Sequence, residues 1–261
     1  MLGYLSQFRR LIRRNAATDR SGLVNLVKKN PSQTSNGGLL RVLKPISILL
    51  LTVLVGYFLW QRIYPSAMWR YRLTVTVEAN GQTYSGSGVY EAAEWRVPRY
   101  LPEVRTRETG IRGEAIFIDL DGSNLVITLT SARRYRDASV GLSELSQKAF
   151  LTGNPKLDFT SLPALLNTKI SIPPDWLPVL VTFENVEDPR SYRIVPPIGS
   201  PFFPGKVISA SVEFTDDPVT TGIENELPFL STMDRARPLG GDILPRPTNW
   251  ISPSDFYAGT I

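Results

Sequence analysis

The sequence predicts a mainly β fold: an antiparallel β-sandwich or partly open barrel with one helix, preceded by a single transmembrane helix. Three observations carry this reading. Ile46 to Trp60 is a fifteen-residue stretch without charge. Downstream of it, short segments alternate apolar and polar residues and are separated by turn residues. One downstream segment, Ala138 to Leu151, instead has helical spacing through Leu142, Leu145 and Phe150, with Lys148 late in it, where a cation suits the helix dipole.

The apolar stretch comes first. Pro45 to Tyr64 is twenty residues, roughly 30 Å of helix at about 1.5 Å per residue, which matches a hydrocarbon core. Only Ser47, Thr52 and Gly56 interrupt its apolar side chains, so no polar stripe marks it as the core helix of a soluble protein. The basic region before it is too long for a cleaved signal peptide, and Pro65 stands where cleavage wants a small residue. The segment therefore reads as an uncleaved signal anchor. Arg9-Arg10 and Arg13-Arg14 lie too far upstream for a twin-arginine signal.

Charge predicts the orientation. Residues 1–44 carry nine Lys or Arg and one acid, Asp19, a net charge of +8. Residues 63–261 carry nineteen basic and twenty-three acidic residues, a net charge of −4. The basic side stays inside, so the expected topology is amino end in the cytoplasm of a bacterium and carboxyl domain outside its inner membrane. Tyr57, Trp60 and Tyr64, followed by Trp69 and Tyr71, gather at the outer end, where amphipathic rings prefer the interface. The overall charge of +5 thus predicts contact with anionic headgroups at the inner face, and no nucleic acid.

Four regions follow. Residues 1–44 are a basic cytoplasmic arm, expected to be largely disordered. Leu5, Phe8 and Ile12 share one face of a short amphipathic helix, and one helical turn is expected around Leu23 to Lys29. Residues 45–64 are the membrane helix. Residues 69–230 are the β-rich domain. Residues 231–261, rich in Pro and Gly from Arg237, are expected to form an irregular tail docked through Trp250, Phe256 or Tyr257.

Within the domain, Tyr71, Leu73, Val75 and Val77 alternate with polar residues as a half-buried strand. Asn80-Gly81 then supplies a hairpin turn in which both positions need φ > 0. The returning strand runs from Gln82 to about Glu91, and Gly86 and Gly88 inside it predict a bulge or a close backbone approach. Arg96 to Arg112 reads as a Pro- and Arg-rich connection. A second hairpin runs from Glu114 to Leu120 and from Leu125 to Ser131. Residues 152–177 read as irregular. Val179 to Phe183 and Tyr192 to Val195 are short strands joined by a turn at Glu187-Asp188-Pro189. Val207 to Phe214 alternates again, with Ile208, Ala210, Val212 and Phe214 expected on one face.

Cysteine and histidine are both absent. That removes disulfides, thiol nucleophiles, imidazole bases, haem and the usual zinc sites together. No catalytic, cofactor-binding or metal-binding residue is assigned. The weak candidates are Glu213, Asp216 and Asp217, acids at the end of a strand where a carboxylate pair would serve as acid and base or hold a cation. Asp-Asp-Pro is equally a common way to leave a strand.

Other groupings read more simply as structure. Asp119 to Asn124 has calcium-type oxygens but no bidentate Glu at the needed spacing, and its residues are those of a hairpin turn. Gly86-Ser87-Gly88 lacks the spacing of a nucleophile elbow. Nothing pairs Lys148, Lys156, Lys169 or Lys206 with a serine as a dyad. Arg96, Arg99, Arg105, Arg107 and Arg112, with Trp95 and Tyr100, read as a solvated face paired with Glu103 and Glu108, or as a surface for phosphate headgroups or an acidic glycan.

The segment Val207 to Leu230, VISASVEFTDDPVTTGIENELPFL, resembles a group of uncharacterised bacterial single-pass membrane proteins with an extracytoplasmic β-rich domain. TDDPVTTGIE followed by LPFL is its most distinctive part. Trp69 to Gly88, GEAIFIDLDG and PVLVTFENVEDPRSYRIV are similar to further parts of that group. The resemblance implies an anchored domain in the cell envelope. It implies no site residue, because the group has no established activity.

The expected role is binding or scaffolding in the envelope, with the lipid bilayer and an envelope protein as partners. A carboxylate-based hydrolase of envelope glycan or peptidoglycan, and a structural subunit of a larger membrane complex, are the alternatives.

Overall fold

The computed structural model describes residues 37–98, 106–132, 138–152, 154, 156–200, 203–233, 239 and 251–258. The helix and turn expected within residues 1–36, and Trp250, lie outside them. The chain divides into two units, Met1–Val55 and Gly56–Ile261.

Helix α1 spans Gly37–Ile63 and so begins earlier than the expected start at Pro45. Its stretch Ile46–Ile63 is long and apolar enough to cross a membrane, and none of it is buried against protein. Two of its polar side chains find partners within the helix. Thr52 donates to the Ile48 carbonyl at 2.9 Å, and Gln61 donates to the Tyr57 hydroxyl at 2.6 Å. Self-satisfaction is what an apolar solvent demands.

The second unit is mainly β, as expected, and holds two antiparallel sheets. The strands are β1 (Ser66–Ala79), β2 (Gln82–Arg96), β3 (Arg107–Glu114), β4 (Ile116–Asp119), β5 (Asn124–Ile127), β6 (Lys169–Ile172), β7 (Leu180–Phe183), β8 (Tyr192–Val195), β9 (Gly205–Phe214) and β10 (Tyr257–Ala258). The long sheet has the order β10-β3-β2-β1-β9-β6 and the short sheet β4-β5-β7-β8.

β1 and β2 form the expected hairpin, with an unbroken register from Ala79↔Gln82 to Ser66↔Trp95. Asn80 (φ 52°) and Gly81 (φ 75°) make the turn. Tyr71, Leu73, Val75 and Val77 are fully buried, as the alternation predicts. The unbroken register rules out a bulge at Gly86 and Gly88, which leaves close approach. A Cβ on Gly86 would stand 2.6 Å from Ile118 Cγ1, and one on Gly88 would stand 2.9 Å from Ile116 Cγ1. The two glycines let β4 of the short sheet settle onto the long sheet.

The core has two parts that share the short sheet. Ile116, Ile118, Leu125, Ile127, Leu180 and Val195 join the core face of β1 and helix α2 (Leu142–Leu151). Val126, Val181 and Phe183 point the other way, into a cluster with Ile223, Leu227, Phe229, Leu230, Ile251, Phe256 and Tyr257. The short sheet is therefore the middle of three layers. The residues read as a tail supply part of the third layer in their described part, beside Ile223, Leu227, Phe229 and Leu230. Phe256 is fully buried, and β10 pairs with β3 through Tyr257↔Glu114.

Three expectations need correction. The connection Arg96 to Arg112 contains most of β3, which has no apolar alternation because its side chains make ion pairs instead. Residues 152–177 contain β6, a short edge strand ending just before Pro173-Pro174. Ile208 is 46% exposed and does not share the face of Ala210, Val212 and Phe214. The pairing with β1 slips there, from Thr76↔Ser209 to Val77↔Val207, and this bulge turns Ile208 outward.

The segment after β9 acts as a strap. Thr215 donates its N–H to the Arg70 carbonyl of β1 at 3.2 Å. Thr220 then exchanges two bonds with Val89 of β2, at 2.9 and 3.1 Å. Glu114 of β3 accepts from the N–H groups of Gly222 and Ile223, the latter at 2.8 Å, at the start of the short helix α3 (Ile223–Glu226).

Candidate functional site

The weak candidates Glu213, Asp216 and Asp217 end β9 and begin the strap. Glu213 stands in register between Arg72 of β1 and Lys169 of β6. Asp217 is ion-paired with the Arg72 guanidinium and accepts from the Thr215 hydroxyl at 2.6 Å. Asp216 is exposed and borders a cavity of about 230 Å³ with Met68, Trp69, Arg70 and Glu91. A cation thus stands beside two of the three acids. Asp217 serves the turn that starts the strap.

The acids that the fold commits most deeply lie on β2. Glu91 meets Arg70 at 2.7 Å and Arg112 at 3.6 Å. Glu94 is 1% exposed on the core face, where Oε1 accepts from Arg107 Nε at 2.6 Å and Oε2 accepts from Gln147 Nε2 of α2 at 2.6 Å. A buried carboxylate needs this charge-assisted pairing to offset its lost hydration. With both oxygens engaged, Glu94 joins β2, β3 and α2. It lines a cleft of about 760 Å³ with Arg107, Glu108, Thr109, Glu144, Gln147 and Lys148. Of the arginines expected to pair with Glu103 and Glu108, Arg107 pairs with Glu94 and Arg112 with Glu91. Arg99, Tyr100, Glu103 and Arg105 lie outside the described residues.

Glu91 and Glu94 were missed at the sequence level because the returning strand was ended near Glu91. One signal was available. Continuing the alternation from Tyr90 and Ala92 places Glu94 on the core face, where a carboxylate requires a cation.

The remaining groupings resolve as structure. The Asp119 to Asn124 turn closes through Leu120 N–H on the Ser123 carbonyl at 2.9 Å, with Asp121 (φ 56°) and Gly122 (φ 96°) at its tip. Asn124 spends its side chain on the Phe183 backbone, at 2.8 and 2.9 Å. Among the described residues no group of three or more acids is placed to hold a metal ion. Ser87 sits within β2. Lys148 lies over the Trp176 ring at 4.5 Å, Lys206 pairs with Glu78 at 3.3 Å, and Lys169 begins β6.

Two buried tyrosines complete the electrostatics. Tyr71 and Tyr90 stack with ring centroids 5.5 Å apart. Burial raises both phenols well above their ordinary range, with the neighbouring Tyr90 adding to Tyr71 and Glu114 adding to Tyr90. Tyr71 donates to the Leu142 carbonyl, whereas the Tyr90 hydroxyl has no partner among the described residues. Neither faces a cleft, so both belong to the core. Asp158 is held below the usual carboxylate range, chiefly by its bond to the Thr160 hydroxyl, and it caps the 3-10 turn Phe159–Ala164.

No protein-family model, curated protein or solved structure matches the chain.

Proposed function

We propose that this chain is a single-pass protein of a bacterial inner membrane, amino end in the cytoplasm, that displays a non-catalytic β domain in the envelope for binding or scaffolding. One observation carries the reading: Ile46–Ile63 is long and apolar enough to cross a membrane and none of it is covered by protein. In water such a helix would cost about 25 cal/mol for each exposed apolar Å², whereas lipid solvates it. The charge asymmetry between residues 1–44 and 63–261 supports the orientation. The commitment of Glu91, Glu94 and Asp217 to arginines supports a binding role over hydrolysis. The resemblance of the TDDPVTTGIE strap to the group of anchored proteins supports the envelope setting.

Carbonate washing of membranes followed by protease treatment of spheroplasts tests it. The full-length chain should stay with the membranes and lose its carboxyl domain to external protease. Release by carbonate, or protection of the domain from protease, refutes the anchor or the orientation respectively. Affinity isolation from gently solubilised membranes should then recover an envelope partner. Turnover of an envelope polymer by the purified chain would overturn the non-catalytic reading.

A further inference from the structure

Helix α1 ends at Ile63 and β1 begins at Ser66, so Tyr64 and Pro65 alone connect them. The last turns of α1, from Gly56, belong to the same unit as the β strands. Two residues reach at most about 7 Å. If the apolar span Ile46–Ile63 lies in lipid, the short link brings the first residues of β1 close to headgroup depth. Pro65 also accepts the Arg96 N–H at 3.1 Å, which fixes the end of β2 beside the link.

That end of the long sheet carries an unbalanced charge. Arg96 and Arg107 face each other across the ladder between β2 and β3. Like charges placed opposite destabilise a sheet unless an anion joins them. Arg107 has Glu94, whose oxygens are already engaged, and Arg96 has no carboxylate partner among the described residues. Both guanidiniums lie over the Phe159 ring, at 5.8 and 5.6 Å, and remain open to solvent on their far side. Arg62, in the last turn of α1, adds a third cation. Met68, 53% exposed, and half-buried Trp95 supply apolar and amphipathic surface at the same end.

Guanidiniums match phosphate oxygens, and indole and thioether groups suit the zone just below them. We propose that this sheet end, formed by Met68, Trp95, Arg96 and Arg107 with Arg62, is a lipid contact in its own right. It binds the phosphate headgroups of the leaflet from which the β domain emerges and holds the domain against that surface. The inference rests on the membrane-spanning reading above.

Because the chain has no cysteine, single spin labels on the full-length protein test it. Leu54→Cys, Met68→Cys and Thr83→Cys are reconstituted in phosphatidylcholine vesicles with and without phosphatidylglycerol, and collision with oxygen and with a water-soluble nickel complex gives the depth of each label. Thr83, next to the hairpin tip, lies roughly 40 Å along β1 from Ser66. The Leu54 label should sit in hydrocarbon, the Thr83 label in water and the Met68 label at headgroup depth, most strongly in anionic vesicles.

Adding Arg96→Glu, which removes a cation and adds an anion, should lower the docking equilibrium of the Met68 label by more than the roughly fivefold that one surface cation is worth. Arg96→Gln, which keeps the stem over Phe159, should give a smaller loss. A Met68 label as wet as the Thr83 label, or indifferent to both lipid charge and Arg96→Glu, overturns the contact while a deep Leu54 label leaves the anchor standing. A Leu54 label in water sinks both.

Discussion

The long sheet has a core face and a solvent face, whereas the two central strands of the short sheet, β5 and β7, have no wet face. In β1 the fully buried Tyr71, Leu73, Val75 and Val77 alternate with the partly exposed Arg70, Arg72, Thr74 and Thr76. In β5 and β7 every residue is buried. The difference lies in what covers them. The long sheet is covered once, by the short sheet and α2. The short sheet is covered twice, by the long sheet and by residues from the end of the chain. A sheet can thus take its second covering layer from a segment with no periodicity of its own, held by a few large side chains.

Four changes would break or sharpen this contrast. The largest effect is expected from Phe256→Ala, which removes a fully buried ring from the layer over the short sheet. It should cost about 3–5 kcal/mol in urea denaturation of the detergent-solubilised chain. A cost below about 1 kcal/mol would mean that the third layer is dispensable.

Alkaline titration probes the core beneath the long sheet. The phenols of Tyr71 and Tyr90 are raised in the folded state, so their neutral forms favour folding. That contribution is complete below the ordinary tyrosine value of about 10 and is lost as pH climbs toward the folded values. Stability should fall by about 1.4 kcal/mol per pH unit for each tyrosine above about pH 10. Replacing both by Phe should flatten the profile, read as the pH dependence of the urea midpoint.

Gly86→Ala tests the seam between the two sheets. Its Cβ would stand 2.6 Å from Ile118 Cγ1, so β4 must shift, at about 1–3 kcal/mol by the same denaturation assay. Combining it with Ile118→Val should recover part of the loss.

The smallest effect is expected on the solvent face. Asp217→Asn removes an ion pair whose two side chains are 37% and 47% exposed. It should cost less than about 1 kcal/mol, and the difference should shrink in high salt.

The same contrast explains what was legible in the sequence. The β1–β2 hairpin was readable because one wet face forces alternation and because Asn80-Gly81 is a local turn signal. β7 and β8 were readable as short apolar runs between turn residues. β3 was not readable, because its partners Glu91 and Glu94 come from another strand and replace the apolar alternation. Ile208 was misplaced because a bulge depends on the pairing strand, which no local pattern reports. At the candidate site, Glu213, Asp216 and Asp217 were visible as carboxylates. The Arg72 that neutralises Asp217 lies 145 residues earlier in the chain. Sequence proximity gathered three acids, and folding placed a cation beside two of them.

Synthesis order gives the covering layer a further consequence. The short sheet is complete at Val195, yet Ile251, Phe256 and Tyr257 of the cluster against it are made only later. Until those residues are made, Val126, Val181 and Phe183 have only Ile223, Leu227, Phe229 and Leu230 to cover them, and the edge of β3 lacks β10. A nascent chain stalled or clipped upstream of Ile251 would present sticky surface to chaperones and quality-control proteases.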